Sequence, residues 1–149
     1  MQILVLNGPN LNALGYREPD IYGEETLDDI ESLMRQRAED LGDIELDFIQ
    51  SNHEGALIDA IYTHSNWDGI VINAAALTHS STALADAIST VMIPAIEVHI
   101  SNVHSRPEAW RHQSFLSPVT WGQVSGFGYR SYLAALDLLY SRLAEEQQP

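Results

Sequence analysis

The chain has 149 residues, enough for one domain that buries roughly two-thirds of its unfolded surface. It contains no cysteine and no lysine, and its seven arginines stand against 21 carboxylates for a formal charge of -14. This excludes disulfides, thiolate nucleophiles, lysine Schiff bases and P-loop lysines, and it leaves no basic face for nucleic acid. The acidity reads as a soluble surface, with salt adaptation as the alternative.

Short apolar runs alternate with helical periodicity along the whole chain. Ile3 to Leu6 is a first buried strand. The start at Met1 has no basic leader segment and no apolar run approaches membrane-spanning length, so the expected compartment is the cytosol, with no membrane partner. Leu27, Ile30, Met34, Ala38 and Leu41 trace a helix face opened by Glu24-Glu25-Thr26 and stopped at Gly42. Ile44 to Ile49 alternates as a second strand. A helix with Leu57, Ile58 and Ile61 inward follows, ending near Asn66-Trp67-Asp68-Gly69.

Gly69 to Asn73 is the third strand, and Ala83, Leu84, Ala87, Ile88 and Val91 mark the next helix. Pro94 to His99 is the fourth strand and Pro118 to Trp121 a short fifth. Tyr132, Leu133, Leu136, Leu139 and Leu143 form the stripe of the last helix, and the tail 145–149 is expected to fray. Strict alternation predicts a single α/β domain: a flavodoxin-like, doubly wound, five-stranded parallel sheet with helices on both faces.

In such sheets ligands sit beyond the carboxyl ends of the strands. The first strand ends in Asn7-Gly8-Pro9-Asn10-Leu11-Asn12, and a loop then runs through Arg17 and Tyr22 to Gly23 before the first helix pattern. Connections of that length are usually functional. The third strand ends in Asn73, with His79 shortly after; the fourth ends in Glu97-Val98-His99-Ile100-Ser101-Asn102. Amides, histidines, a carboxylate, a tyrosine and an arginine thus converge on one rim.

These stretches, taken in order over essentially the whole chain, closely resemble type II 3-dehydroquinate dehydratase. The resemblance implies a cofactor-free lyase with no metal that converts 3-dehydroquinate to 3-dehydroshikimate, in the shikimate pathway or in quinate breakdown. A proton beside a ketone is removed, an enolate forms and hydroxide leaves, which needs a base, oxyanion stabilisation and an acid.

By that likeness Tyr22 is the base. A tyrosine in water is about 99.9% protonated at pH 7, so a neighbouring cation is needed, and Arg17 lies five residues upstream. Arginine suits the task because it stays charged beside the group it activates. His99 resembles the acid, and Glu97, on the same strand face, is expected to orient the imidazole or to hold it protonated. Asn10 is expected to hold a water that stabilises the enolate. Asn73 is expected to bind substrate, the alternative being a side chain that ties down its own turn. Ile100 and Ser101 are expected to receive the substrate carboxylate through their backbone amides.

His79 is expected to contact substrate hydroxyls. Asp86 is two helical turns later and so on the same face; the spacing alone makes it a solvated carboxylate, and the resemblance implies that it reaches a neighbouring subunit's site. The resemblance thereby implies a homododecamer, a tetramer of trimers. Arg111 is the expected substrate clamp across an apparent one-residue insertion in Arg106-Pro107-Glu108-Ala109-Trp110-Arg111-His112-Gln113-Ser114. Arg106 is expected to be structural or interfacial, and His53, His64, His104 and His112 to have surface or turn roles. The loop 11–23 is expected to act as an active-site lid hinged at Gly15 and Gly23.

Other readings lack their chemistry. A flavin or nucleotide site would want a glycine-rich phosphate loop, where this chain offers one glycine, a proline and Leu11. A phospho-receiver would want an aspartate where Asn73 stands. No Gly-x-Ser-x-Gly elbow supports a serine hydrolase, and the type I dehydratase needs a lysine. A non-catalytic, ligand-binding flavodoxin-like domain is the remaining alternative, and it would be expected to lack Tyr22, Arg17 or His99.

Overall fold

A computed structural model describes residues 1–148. In chain order it shows β1 (Gln2–Asn7), α1 (Pro19–Tyr22), α2 (Leu27–Gly42), β2 (Glu45–Gln50), α3 (Glu54–Thr63), β3 (Gly69–Asn73), α4 (Thr82–Val91), β4 (Ala95–His99), β5 (Gly122–Ser125) and α5 (Arg130–Glu146). All strand pairs are parallel, in the order β2-β1-β3-β4-β5. This is the expected flavodoxin-like sheet.

Both faces of the sheet are covered, as an all-parallel sheet requires. Along β1, Ile3 and Val5 face one layer and pack with Ile30 and Met34 of α2 and Tyr132 and Leu136 of α5. Leu4 and Leu6 face the other and pack with Leu57 and Ile61 of α3 and Leu84 and Ile88 of α4. The two-residue period of the strand thus sends successive apolar side chains into two cores. α2 begins with a reciprocal cap: Thr26 Oγ1 accepts from Asp29 N at 3.1 Å, and Asp29 Oδ2 accepts from Thr26 N at 2.9 Å. No described helix is long and apolar enough to cross a membrane.

Two expectations are corrected. The fifth strand lies at Gly122–Ser125, not at 118–121, because Pro118 sits in a 3-10 turn over Ser117–Val119 and has no N–H to give a ladder. Trp121 N donates to Ala95 O at 2.7 Å, and regular pairing starts with Ile96 opposite Gly122. The loop after β1 is not devoid of helix: it contains a 3-10 turn at Leu11–Ala13 and the one-turn α1, started by Pro19. The tail is helical as far as Glu146, where Arg142 Nε lies 3.7 Å from Glu146 Oε1, and Pro149 lies outside the described residues.

The strand order reverses between β1 and β3, where the chain leaves β1 towards β2 and returns to the other side. Ligands of such sheets bind at that reversal, beyond the strand carboxyl ends. Asn7 of β1 and Asn73 of β3 are register partners there.

Candidate active site

The floor of the reversal point is a buried polar bridge. Tyr132 OH, reaching up from α5, donates to Asn7 Oδ1 at 2.7 Å and accepts from Asn73 Nδ2 at 2.9 Å. Burial pushes the Tyr132 phenol far up, only partly opposed by the Asn73 hydrogen bond, so it stays a protonated donor. Asn73 Oδ1 also accepts from Ala75 N at 3.1 Å. The side chain therefore does tie down its own turn, and Asn73 still lines the cleft above.

Backbone geometry around the floor is tight. Gly8 N donates to Asn73 O at 2.8 Å, and a Cβ on Gly8 would stand 2.3 Å from Ala74 O. Only glycine lets β1 and the turn after β3 approach so closely. Of the five described non-glycine residues with positive φ, Asn10, Glu18 and Ala75 lie on the cleft rim or in the loop over it. Such conformations cost about 1–3 kcal/mol and cluster at functional sites.

The cleft is lined by Asn10, Arg17, Tyr22, Asn73, His79, His99, Ile100, Ser101, Arg106 and Arg111, among others. The expected residues other than Glu97 and Asp86 thus meet at one place. Glu97 stands directly behind it, fully buried, with Oε1 2.6 Å from His99 Nε2. Burial pushes the Glu97 carboxyl up. Hydrogen bonds from His99 and Ser117, the His99 charge and a hydrogen bond from Ser114 together outweigh this and hold it below its ordinary value.

His79 stacks beside His99 with ring centroids 6.3 Å apart, and its Nδ1 meets the carbonyl of Gln113. Burial lowers its proton affinity, the Gln113 carbonyl opposes this, and the charges of His99 and Arg111 reinforce it. His79 is accordingly held as a neutral imidazole near pH 7.

Tyr22, at the end of α1, is flanked by two guanidinium groups. Arg17 Cζ lies 5.1 Å from its ring centroid and Arg106 Cζ 5.5 Å, and Arg106 Nη1 donates to Tyr22 OH at 3.1 Å. Arg106 is the residue that sequence reasoning missed. It was expected to be structural or interfacial, yet its side chain is only 10% exposed and lies in the cleft. The available signal was its place in the same βα connection as Ile100 and Ser101.

Arg111 stands in the cleft as expected. Its Nε is 3.3 Å from Glu108 Oε2 and its Cζ 4.2 Å from the Trp110 ring centroid. Trp110 itself meets His79 edge-on at 5.4 Å. The two nearby arginines and the hydrogen bond to its own amide hold Glu108 below the ordinary carboxylate range: the amide contributes most, burial opposes, and Arg111 and Arg106 add to the lowering.

Two further expectations change. His79 and Asp86 do not share a helix face, since His79 ends a 3-10 turn over Ala75–His79 and Asp86 belongs to α4. Asp86 is exposed and outside the cleft of its own chain. His64 is buried rather than superficial, with Nδ1 2.7 Å from Ala60 O and Nε2 2.7 Å from Asp47 Oδ2. It ties the end of α3 to β2. His53 and His104 are exposed, and exposed His112 braces the site through Nε2, 2.7 Å from Arg106 O.

This parallel switch-point sheet brings a phenol beside two guanidiniums and a carboxylate-bound imidazole to one cleft, groups whose chemistry is proton transfer. The model of the family described as dehydroquinase class II matches residues 1–140. The chain is 52% identical over 144 residues to the 3-dehydroquinate dehydratase of Dinoroseobacter shibae, which covers 96% of this chain and 95% of that protein. It is 54% identical over 142 residues to that of Trichodesmium erythraeum, covering 95% and 93%. The crystal structure of type II dehydroquinase from Butyrivibrio crossotus superposes with a TM-score of 0.90 at 48% identity, covering 93% of this chain and 97% of that one. The chain belongs to the class II dehydroquinase family.

Proposed function

We propose that the whole chain acts as one catalytic domain that dehydrates 3-dehydroquinate to 3-dehydroshikimate in the shikimate pathway, in the cytosol. The observation that carries this reading is that Tyr22, with the guanidiniums of Arg17 and Arg106 against its ring, shares a cleft with His99, whose imidazole is bonded to the buried Glu97, in a chain of this family.

In the proposed mechanism the two guanidiniums stabilise the tyrosinate of Tyr22, which removes the proton beside the substrate ketone. Negative charge develops on the enolate oxygen, and Asn10 holds a water against it. His99 gives a proton to the departing hydroxyl while Glu97 orients the ring. The backbone amides of Ile100 and Ser101 receive the substrate carboxylate, and Asn73, His79 and Arg111 hold its polar groups. Asp86 serves a neighbouring subunit's site within a homododecamer, which agrees with its exposed place on α4.

The segment 11–23 serves as the lid that delivers Arg17 and Tyr22. Its amide hydrogen exchange is expected to slow on binding a substrate analogue, and unchanged exchange would remove the lid from the account.

The test is direct. Purified protein is mixed with 3-dehydroquinate and the ultraviolet absorbance of the conjugated product is followed, with Tyr22→Phe alongside. Turnover that collapses in the variant supports both reaction and base. Turnover that persists in Tyr22→Phe keeps the reaction and removes the tyrosinate, and no turnover in the folded parent favours a non-catalytic flavodoxin-like domain.

A further inference from the structure

Three donors converge on the buried carboxylate of Glu97. His99 Nε2 lies 2.6 Å and Ser114 Oγ 2.8 Å from Oε1, and Ser117 Oγ lies 2.7 Å from Oε2. A serine hydroxyl has one proton and two lone pairs, so its role follows from its other neighbours. Ser114 Oγ already accepts from Leu116 N and Ser117 N, both at 3.0 Å. Its lone pairs are used, and its proton is left to point at Glu97. Ser117 Oγ accepts a longer approach from Gln123 Nε2 at 3.4 Å, which turns its proton the same way.

A protonated Glu97 could donate only to His99 Nε2 or to the second lone pair of Ser117 Oγ, and the three hydrogen bonds to its charged form hold the carboxyl below its ordinary value. The ionised form satisfies every group present. With both carboxylate oxygens accepting, His99 Nε2 must be a donor as well. The neutral imidazole then carries its hydrogen on Nε2, and Nδ1 is the ring atom free to exchange a proton.

We infer that Ser114 and Ser117 are positioning residues of the reaction: they clamp Glu97 as an acceptor-only carboxylate, and this locks His99 in its Nε2–H form with Nδ1 as the working atom. The inference rests on the dehydration reading for its function, although the tautomer itself does not. In the step concerned, the Nδ1–H proton passes to the leaving oxygen and the C–O bond breaks with its electron pair going to that oxygen. Water departs and His99 is left neutral. The proton gained by Tyr22 returns to His99 through solvent.

The clamp is local in sequence. Ser114 and Ser117 are three residues apart, and the hydroxyl of the first closes a turn on the amide of the second, which places both on Glu97. The other titratable or charged groups near the pair are His79, from the turn after β3, and Arg111. His104 and His112 line the adjoining cavity.

The test has two readouts. Nitrogen-15 NMR of the unliganded parent, at a pH where His99 is neutral, is expected to show the Nε2–H tautomer. A double Ser114→Ala, Ser117→Ala variant is expected to show mixed tautomers. Its kcat on 3-dehydroquinate should fall by about tenfold or more while KM changes by less than about threefold, the size seen when supporting hydrogen bonds of a site are removed. The acidic limb of its kcat profile should move to higher pH, because a Glu97 with fewer donors on its charged form takes up a proton sooner as pH falls. Serine-to-threonine changes, which keep the hydroxyls, should restore most of the rate.

A parent signal from an Nδ1–H tautomer would overturn the inference and leave the dehydration reading intact. So would an unchanged kcat and pH profile in a folded double variant. If that variant does not fold, the tautomer of the parent decides. A parent without turnover would remove the dehydration reading and the role built on it, and the NMR result would still report on the clamp.

Discussion

Tyr132 on the floor of the cleft and Tyr22 on its wall carry the same phenol into opposite surroundings. Tyr132 is fully buried and meets only neutral amides, Asn7 and Asn73, so low polarity holds its proton in place. Tyr22 is half-buried at the end of a one-turn helix, with two guanidiniums within 5.5 Å of its ring centre and one of them bonded to its oxygen. Residue type says little about whether a phenol serves as a strut or, as proposed for Tyr22, as a base. The surroundings of the oxygen, charged or apolar, separate the two.

The widest separation between the two should come from deleting each hydroxyl. Tyr22→Phe is expected to lower kcat by about a thousandfold, within the range for loss of a general base, and to leave stability nearly unchanged. Steady-state kinetics beside a urea titration measures both. Next in size is Arg106→Gln, which removes one of the two charges and the direct bond to Tyr22. A fall in kcat of about a hundredfold is expected, and a fall much smaller than that of Arg17→Gln would make Arg17 the principal activator.

Tyr132→Phe should do the reverse. It strands Asn7 Oδ1 and Asn73 Nδ2 in a buried site and is expected to destabilise the fold by about 1–3 kcal/mol in urea, with a smaller loss of turnover from a loosened floor. A kcat loss as large as that of Tyr22→Phe would break the contrast between strut and base.

The smallest effect is acid sensitivity. The proton affinity of His79 is lowered in the fold, so between its folded value and the ordinary 6.5 the unfolded chain binds more protons and stability falls as pH falls. Glu97, held below its ordinary 4.5, contributes stability in full above that value and loses it as pH falls through the folded one. Denaturation midpoints should therefore decline from about pH 6.5 downward, in a gentler first stage that His79→Gln abolishes.

The strand-end half of the site was legible residue by residue. Asn73, Glu97 and His99 sit at strand ends, where period two and the α/β rule already say which face and which rim they occupy. The connections were less so. Polar Gly122-Gln123-Val124-Ser125 does not look like a strand, because β5 is an edge strand and Gly122 and Gln123 stay exposed. Arg106 reads as structural or interfacial beside Arg111, since their spacing alone does not say that the turns between them aim both side chains at one cleft.

The amino-acid sequence alone determined the parallel five-stranded architecture, the family and the set of groups at the rim, because each follows from local periodicity or from short ordered motifs. The tertiary structure alone decided which of these groups touch. That Arg106 reaches Tyr22 across 84 positions, that Tyr132 joins Asn7 to Asn73, and that two serines aim at Glu97 are contacts between segments distant in the chain. Their distances depend on how helices and turns pack on the sheet, and a periodicity of two or 3.6 residues carries no information about that.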